Sequence, residues 1–404
     1  MSATLLNSLH LKGFLSFGPE SQPVKLTSLN VLIGPNGVGK SNFIEAIELL
    51  HATPADFSSV IRLGGLPSDW VWHGGKGASA ARIEATLSPV TGTPELRYGI
   101  EFTDSAGRLE IVDEVLEKTA KDYPNEKDVR FYYRYQNGHP AINMVQTVAD
   151  QVTKRKYKQR TLKRETIDPQ QSILSQKKDV DLYPEVTVAG ARFKDIQIFR
   201  EWGFGRSAAL RSPQPANLPT DVLLPQLVNL GLVLNNMEHR HTAAWTRFCE
   251  LMGKFLPRFK KLGTVVSAGS VQVFLHEHGL SVPVPATRLS DGTLRFLALL
   301  AILLNPEPAS LVCIEEPELG LHPDAMSLLA ELLTEAAEKT QLIVTTHSDV
   351  LVSALTEQAE SVLVCDCLEN GTELRRLEPE KLQHWLKDYR LGDIWRSGKI
   401  GGNL

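Results

Sequence analysis

The sequence has no long hydrophobic run, few cysteines and no excess of basic charge, and each absence excludes something. A membrane-spanning helix needs about 20 consecutive apolar residues, whereas the longest apolar stretch, 296–304, has only the length of a core helix. No membrane partner is therefore expected. The chain does not open with a basic segment followed by an apolar one and a cleavage site, so no secretory signal is expected. The four cysteines, Cys249, Cys313, Cys365 and Cys367, are spaced for neither a disulfide framework nor a zinc site. They read as reduced thiols, and the chain as cytoplasmic. A net charge of −4 excludes a protein that is basic all over, so any contact with nucleic acid has to come from a local patch. Internal repeats, low-complexity segments and sustained heptads are all missing, which excludes long coiled-coil arms.

What is present is ordinary globular material. Hydrophobic residues make up 42% and charged residues 22% of 404 positions, enough for one large domain or two. Residues 5–17 alternate as a strand. A short apolar run at 29–33 ends in a glycine-rich turn, and Phe43, Ile44, Ile47 and Leu50 follow at helical spacing. Residues 53–80, rich in Gly, Pro and Ser and containing Trp70, Trp72 and His73, read as an irregular surface excursion. Short strands separated by turn signals over 82–135 imply an antiparallel region, and 146–180 is polar and basic. Helices are expected at 218–239 and 242–255, and a strand at 265–275. The last third alternates: helix 293–304, strand 311–314, helix 323–339, strand 341–345 and strand 361–366.

Three motifs carry chemistry. Gly34-Pro35-Asn36-Gly37-Val38-Gly39-Lys40-Ser41 fits G-x-x-x-x-G-K-[ST] in full. In such a loop the glycines let backbone N–H groups close on phosphate oxygens, and the following helix adds its positive end. Lys40 is expected to reach the β- and γ-phosphates of ATP and the Ser41 hydroxyl to ligate Mg²⁺, with Asn42 completing the nucleotide-binding set. The apolar strand at 311–314 runs into Glu315-Glu316-Pro317-Glu318. Here Glu315 is placed on the metal side with Ser41, and Glu316 as the catalytic carboxylate that orients water. A third apolar strand ends at Thr345-Thr346-His347. A histidine at that end of a parallel strand is expected to contact the γ-phosphate or the attacking water, the alternative being a cap on the next helix.

In this order, with Leu289-Ser290-Asp291-Gly292-Thr293 between them, the motifs resemble the ABC-type ATPase heads of the RecF/SMC/OLD group. Within that group the chain looks most like small stand-alone bacterial RecF-like ATPases classed with the AAA ATPases. The resemblance implies an α/β fold, an ABC-type P-loop NTPase head with an antiparallel β lobe and an inserted helical lobe. It also implies a homodimer or higher oligomer around ATP, in which Ser290, Asp291 and Gly292 act as the signature in trans, on the nucleotide of the other copy. The stretch from Pro317 to Pro323 resembles the segment after Walker B in RecF- and OLD-like proteins. Asp291 and Thr293 stand where transporters carry Gly and Gln, and Glu315 stands where they carry Asp, so a transporter subunit is the least favoured reading. The glutamine of the Q-loop is left open among Gln171, Gln176 and Gln197.

About 270 residues separate Lys40 from Glu315, far more than one crossover between parallel strands needs. The expected organisation is a single composite head over 1–404. It holds a β lobe at 82–145, a basic and helical insertion at 146–260, a signature, Walker B and histidine lobe at 289–366, and a tail at 381–404. Between Lys154 and Arg164 seven of eleven residues are basic; this reads either as a track for the backbone of double-stranded DNA or as a solvated loop. Trp385, Tyr389 and Trp395 in the tail read either as a docking surface or as cover for a core edge. The functional expectation is an ATPase gating DNA repair or maintenance, or antiphage defence. The alternative is a regulatory scaffold that holds a separate effector protein, a nuclease or toxin, and never touches DNA.

Overall fold

The computed structural model describes residues 4–402 except 76, 127, 137, 147–155 and 201. Two sheets and the helix between them set the frame. The first sheet has eight strands, ordered Val24–Lys25, Leu6–Lys12, Ala81–Leu87, Leu96–Ser105, Arg108–Lys118, Phe131–Gln136, His139–Gln146 and Lys156–Thr161. Every pairing in it is antiparallel. Side chains alternate between the faces of a strand, so Ala81, Ile83, Ala85 and Leu87 turn inward and are buried. Arg82 turns outward to pair with Glu84, Glu101 and Asp113.

The second sheet orders Ile196–Phe199, Leu311–Glu315, Gln341–Thr345, Leu29–Ile33, Val362–Leu368 and Gly371–Arg376. The first five strands are parallel and the last is antiparallel. Both faces are covered, which is why these strands read as continuous apolar runs. Val31, Ile33, Val312, Ile314, Leu342 and Val344 point into a core shared with the helices Asp291–Leu303 and Met326–Ala336. Leu32, Leu311, Cys313, Ile343 and Cys365 point the other way, into a core shared with the antiparallel sheet and the helix Lys40–Ala52. The buried amide of Gln341 ties the two sheets together. Its oxygen accepts from Leu5 N and Leu6 N at 3.0 and 2.8 Å, and its nitrogen donates to Leu6 O and Thr27 O at 2.7 and 3.0 Å.

Several sequence expectations need correction. Residues 218–239 are not one helix: Pro225 forces extended backbone on Leu224, Gln226 and Leu227 take φ of 56° and 60°, and the helix runs only from Leu230 to Arg240. The alternation at 265–275 is a hairpin, Phe259–Ser267 with Ser270–Glu277, turning at Ala268-Gly269. Residues 53–80 are more ordered than their composition suggests. Asp56 caps the helix Phe57–Leu63, and Trp70 is buried with its indole N–H donating to Ile61 O at 3.1 Å. The expected helix at 323–339 is a turn of 3₁₀ followed by Met326–Ala336. The basic run supplies the outermost strand of the antiparallel sheet, Lys156–Thr161; Lys154 and Arg155 lie outside the described residues. In the tail, Leu391, Ile394, Trp395 and Ile400 are buried in the helical core, and the Trp395 indole donates to Gly402 O at 3.1 Å. No helix among the described residues is long and apolar enough to cross a membrane.

Candidate functional site

Parallel pairing brings the carboxyl ends of four neighbouring strands to one edge, where ligands bind in open α/β sheets. The loop after Leu29–Ile33 is Gly34 to Ser41, and its shape needs glycine. Gly39 has φ of 102°, and a Cβ there would lie 2.3 Å from Ser16 Oγ and 2.4 Å from Thr372 Oγ1. A Cβ on Gly34, at φ of 150°, would meet Cys365 O at 2.5 Å. Thr372 also donates to Val38 O at 2.7 Å, and Asn42 donates to Ser16 Oγ at 2.8 Å, so the loop is clamped from the last strand of the sheet. Pro35 is partly buried and Val38 buried.

Lys40 opens the helix and is buried, its ammonium donating to Gly34 O and Pro35 O at 2.7 and 2.8 Å. Burial lowers its pKa, opposed by Cys365 and by Glu316, Glu315 and Glu318. The Ser41 hydroxyl donates to Glu315 Oε1. Glu316 takes a left-handed φ of 46°, which is strained for a residue with a side chain. Its N–H donates to Thr345 O at 3.0 Å, and the buried Arg295 donates to its carbonyl at 3.0 Å. The Glu316 carboxylate lies 3.6 Å from His347 Nε2, beyond direct hydrogen-bond reach. Partial burial lowers the His347 pKa, Lys40 lowers it further, and Glu316 and Glu318 oppose both.

Asn36, Gly37, Gly39, Lys40, Ser41 and Asn42 thus share one cavity of about 130 Å³ with Glu315, Glu316, Thr345 and His347. Its groups suit a nucleotide and a hard cation: an ammonium beside a helix start for phosphate, and hydroxyl and carboxylate oxygens for a divalent ion. The signature residues are not part of it. Ser290 caps the helix Asp291–Leu303 through Thr293 N at 3.1 Å, Asp291 pairs with Arg211, and Gly292 packs so closely that a Cβ would sit 2.6 Å from Gly320 O. Ser290 and Asp291 are exposed to solvent.

Two residues of this site were not singled out in the sequence. Glu318 accepts from Thr346 Oγ1 and His347 N at 2.7 and 2.8 Å, while its Oε2 is buried without a partner. Arg200 follows the strand Ile196–Phe199, whose Phe199 pairs with Ile314, so it falls beside Glu315. Its Nε reaches Glu315 Oε2 at 3.1 Å, and its other two nitrogens reach Glu45 and Glu48 at 2.9 and 3.0 Å. Burial alone would lower the Arg200 pKa, but the bonds and charges of Glu45 and Glu315 outweigh it and hold the guanidinium charged. The signal available was positional: the first polar residue after a strand parallel to the acidic one. None of the glutamines considered lines the cavity: Gln171 bonds Asp56 and Ser58, Gln176 bonds Gln171 O, and Gln197 lies within its strand opposite Val312.

Comparison with known proteins agrees with this geometry. The family model described as "AAA domain, putative AbiEii toxin, Type IV TA system" matches residues 29–353. "Old nuclease" of Escherichia phage P2 is 30% identical over 137 residues, which cover 31% of this chain and 23% of that protein. The match thus spans under a quarter of the length of this curated relative. Among solved structures, a SmcHead bound to the C-winged helix domain of ScpA superposes with a TM-score of 0.60 at 17% identity, covering 93% of this chain and 99% of that one. An Smc head domain with an extended coiled coil, bound to the C-terminal domain of ScpA and derived from Pyrococcus furiosus, gives 0.59 at 14% identity, covering 95% and 99%. At such identities the likeness establishes the fold, that of an ABC-type P-loop ATPase head.

Proposed function

The chain belongs to this AAA-domain family of P-loop ATPases, and from that premise we propose that it binds ATP with Mg²⁺ at the cavity beside Lys40, hydrolyses it slowly, and does so as a dimer. The observation that carries the proposal is the convergence of Lys40, Ser41, Glu315, Glu316 and His347, drawn from three separate strand ends, on one cavity. Lys40 exchanges its two loop carbonyls for phosphate oxygens. Ser41 and Glu315 would hold Mg²⁺, which when bound neutralises charge on the phosphates. Glu316, kept in its strained conformation by Arg295 and Thr345, takes a proton from the attacking water, and His347 orients that water or the terminal phosphate. Ser290, Asp291 and Gly292 lie outside their own cavity, with Ser290 and Asp291 exposed on the surface and Gly292 half-buried beside them, which suits a role on the nucleotide of a second copy. The whole chain works in this reading as one composite head, with the β lobe and helical segments inserted between the strands of the parallel sheet.

The process gated is proposed to involve DNA, in repair, maintenance or antiphage defence. The support is the outermost strand of the antiparallel sheet, which exposes Lys158 and Arg160 and is followed by exposed Lys163 and Arg164. A second reading, the scaffold that holds a protein effector, is favoured by a different feature. A groove of about 1030 Å³ between the helix Met326–Ala336 and the tail is lined by Glu331, Glu335, Glu338, Glu357, Asp388 and Asp393 against Lys387 and Arg390. Arg247 pairs with Glu331 and Glu335, and Arg396 with Asp393, so the carboxylates left to face a partner are those of Glu338, Glu357 and Asp388, which suit a basic protein surface better than nucleic acid. Phosphate release by the purified chain, with and without duplex DNA, tests both. The proposal expects slow turnover that DNA accelerates. Turnover indifferent to DNA, with no DNA affinity at physiological salt, favours the scaffold, and no turnover under any condition refutes the ATPase itself.

A further inference from the structure

Arg200 lies where the reaction needs a carboxylate free for metal. Adjacent parallel strands put it level with Glu315, and its three nitrogen arms join Glu315 of one strand end to Glu45 and Glu48 of the P-loop helix. Glu45 and Glu48 are three apart and share a helix face, so one planar guanidinium spans both. The two oxygens of Glu315 are then both engaged, Oε2 by Arg200 and Oε1 by the Ser41 hydroxyl. These are the same two side chains that the proposed function assigns to Mg²⁺. Nearby, Trp202 donates to Glu315 O at 2.9 Å and stacks between Phe199 and Phe204, which fixes the backbone that carries Arg200.

We propose that Arg200 is a positioning residue that competes with the divalent cation for Glu315, so that the cation binds appreciably only when nucleotide phosphates supply further oxygen ligands. The inference rests on the nucleotide site proposed above and adds a control to it: the resident guanidinium keeps the metal side closed until phosphate arrives. Its consequence is a cation affinity without nucleotide that rises when Arg200 loses its charge. A unit charge about 5 Å from a divalent ion shifts affinity roughly tenfold even in a water-like dielectric.

The test is titration of the full chain with Mn²⁺ alone, counting free Mn²⁺ by electron paramagnetic resonance. Arg200→Gln is expected to bind Mn²⁺ roughly tenfold more tightly than the parent. Arg200→Lys, which keeps the charge but holds fewer carboxylates, is expected to fall between them. It alone decides the matter should the glutamine variant fail to fold, since an affinity equal to or below the parent's would overturn the inference. The double variant Arg200→Gln, Glu315→Gln should lose the gain, and a gain that survived there would place the extra site elsewhere and overturn it as well. Calorimetry of MgADP binding to the same proteins separates the two levels. A parent that binds MgADP while Arg200→Gln gains no Mn²⁺ affinity removes the role of Arg200 only, whereas a parent that binds no nucleotide removes the nucleotide site itself.

Discussion

In the proposed site Lys40 serves binding and Glu316 serves turnover, so their substitutions should separate the two. Lys40→Ala removes the buried cation meant for the phosphates and should weaken ATP binding by roughly 100-fold or more, the scale of a charge-assisted hydrogen bond; calorimetry with MgATP checks it. Glu316→Gln keeps the size and the backbone hold of Arg295 but loses the proton acceptor. Binding should persist while phosphate release falls by about 100-fold or more. The reverse pattern, trapping by Glu315→Gln and not by Glu316→Gln, would exchange the two roles. Lys40, Ser41, Glu315, Glu316 and His347 were legible in the sequence because each sits in a local pattern of apolar strand, then reactive side chain. Arg200 and Glu318 were not. Arg200 acquires its place only from the pairing of Phe199 with Ile314 across more than 100 intervening residues. The hydrogen bonds of Glu318 to Thr346 and His347 likewise come from a different strand end.

At the scale of elements, the helix expected at 293–304 and the strand at 341–345 were read to within two residues, whereas elements broken by proline or defined by distant partners were not. Ser290 caps the helix Asp291–Leu303, and Gln341–Thr345 is a strand to the residue. By contrast, the leucines of 218–239 carry helical spacing but Pro225 breaks it, and Lys156–Thr161 is a strand only because His139–Gln146 lies beside it. Glu114 on the strand Arg108–Lys118 shows what such long-range ties involve. It is buried and accepts from Tyr98 OH, Ser172 Oγ and Ile173 N, anchoring the segment after the basic strand. Burial pushes its pKa up to about 7, with those hydrogen bonds opposing. A carboxyl raised in the fold favours folding fully below its ordinary value of 4.5 and loses that contribution as pH rises through about 7. The thermal midpoint of Glu114→Gln minus that of the parent should therefore climb between pH 5 and pH 8; a flat difference across that window would contradict the burial argument. The basic run from Lys154 to Arg164 makes its own prediction. Replacing Lys154, Arg155, Lys156 and Lys158 by Gln should weaken DNA binding for all sequences alike, and should reduce the salt slope by roughly one unit for each phosphate no longer neutralised. Fluorescence anisotropy at two salt concentrations measures this, and an unchanged slope leaves the strand a solvated edge.

Across the whole molecule, the order of motifs along the chain already implied that distant strands share one ligand, and the parallel sheet is the arrangement that allows it. What the order did not contain is the packing of two cores on opposite faces of that sheet, or the return of the tail to the P-loop. Gly402 N donates to Asp366 Oδ1 at 2.7 Å, and a Cβ on Gly402 would lie 3.4 Å from Gly34 Cα. Pairings of this range leave no local period to read. The same geometry leaves the signature outside its own cavity, so the working unit proposed is two copies, each completing the other's nucleotide site. Light scattering on Glu316→Gln with saturating MgATP tests this dimer. The expected mass is twice 44.7 kDa, returning to the single mass when Ser290→Arg is added although ATP remains bound. A Glu316→Gln chain that binds ATP stoichiometrically and stays at 44.7 kDa at every concentration tried would contradict it.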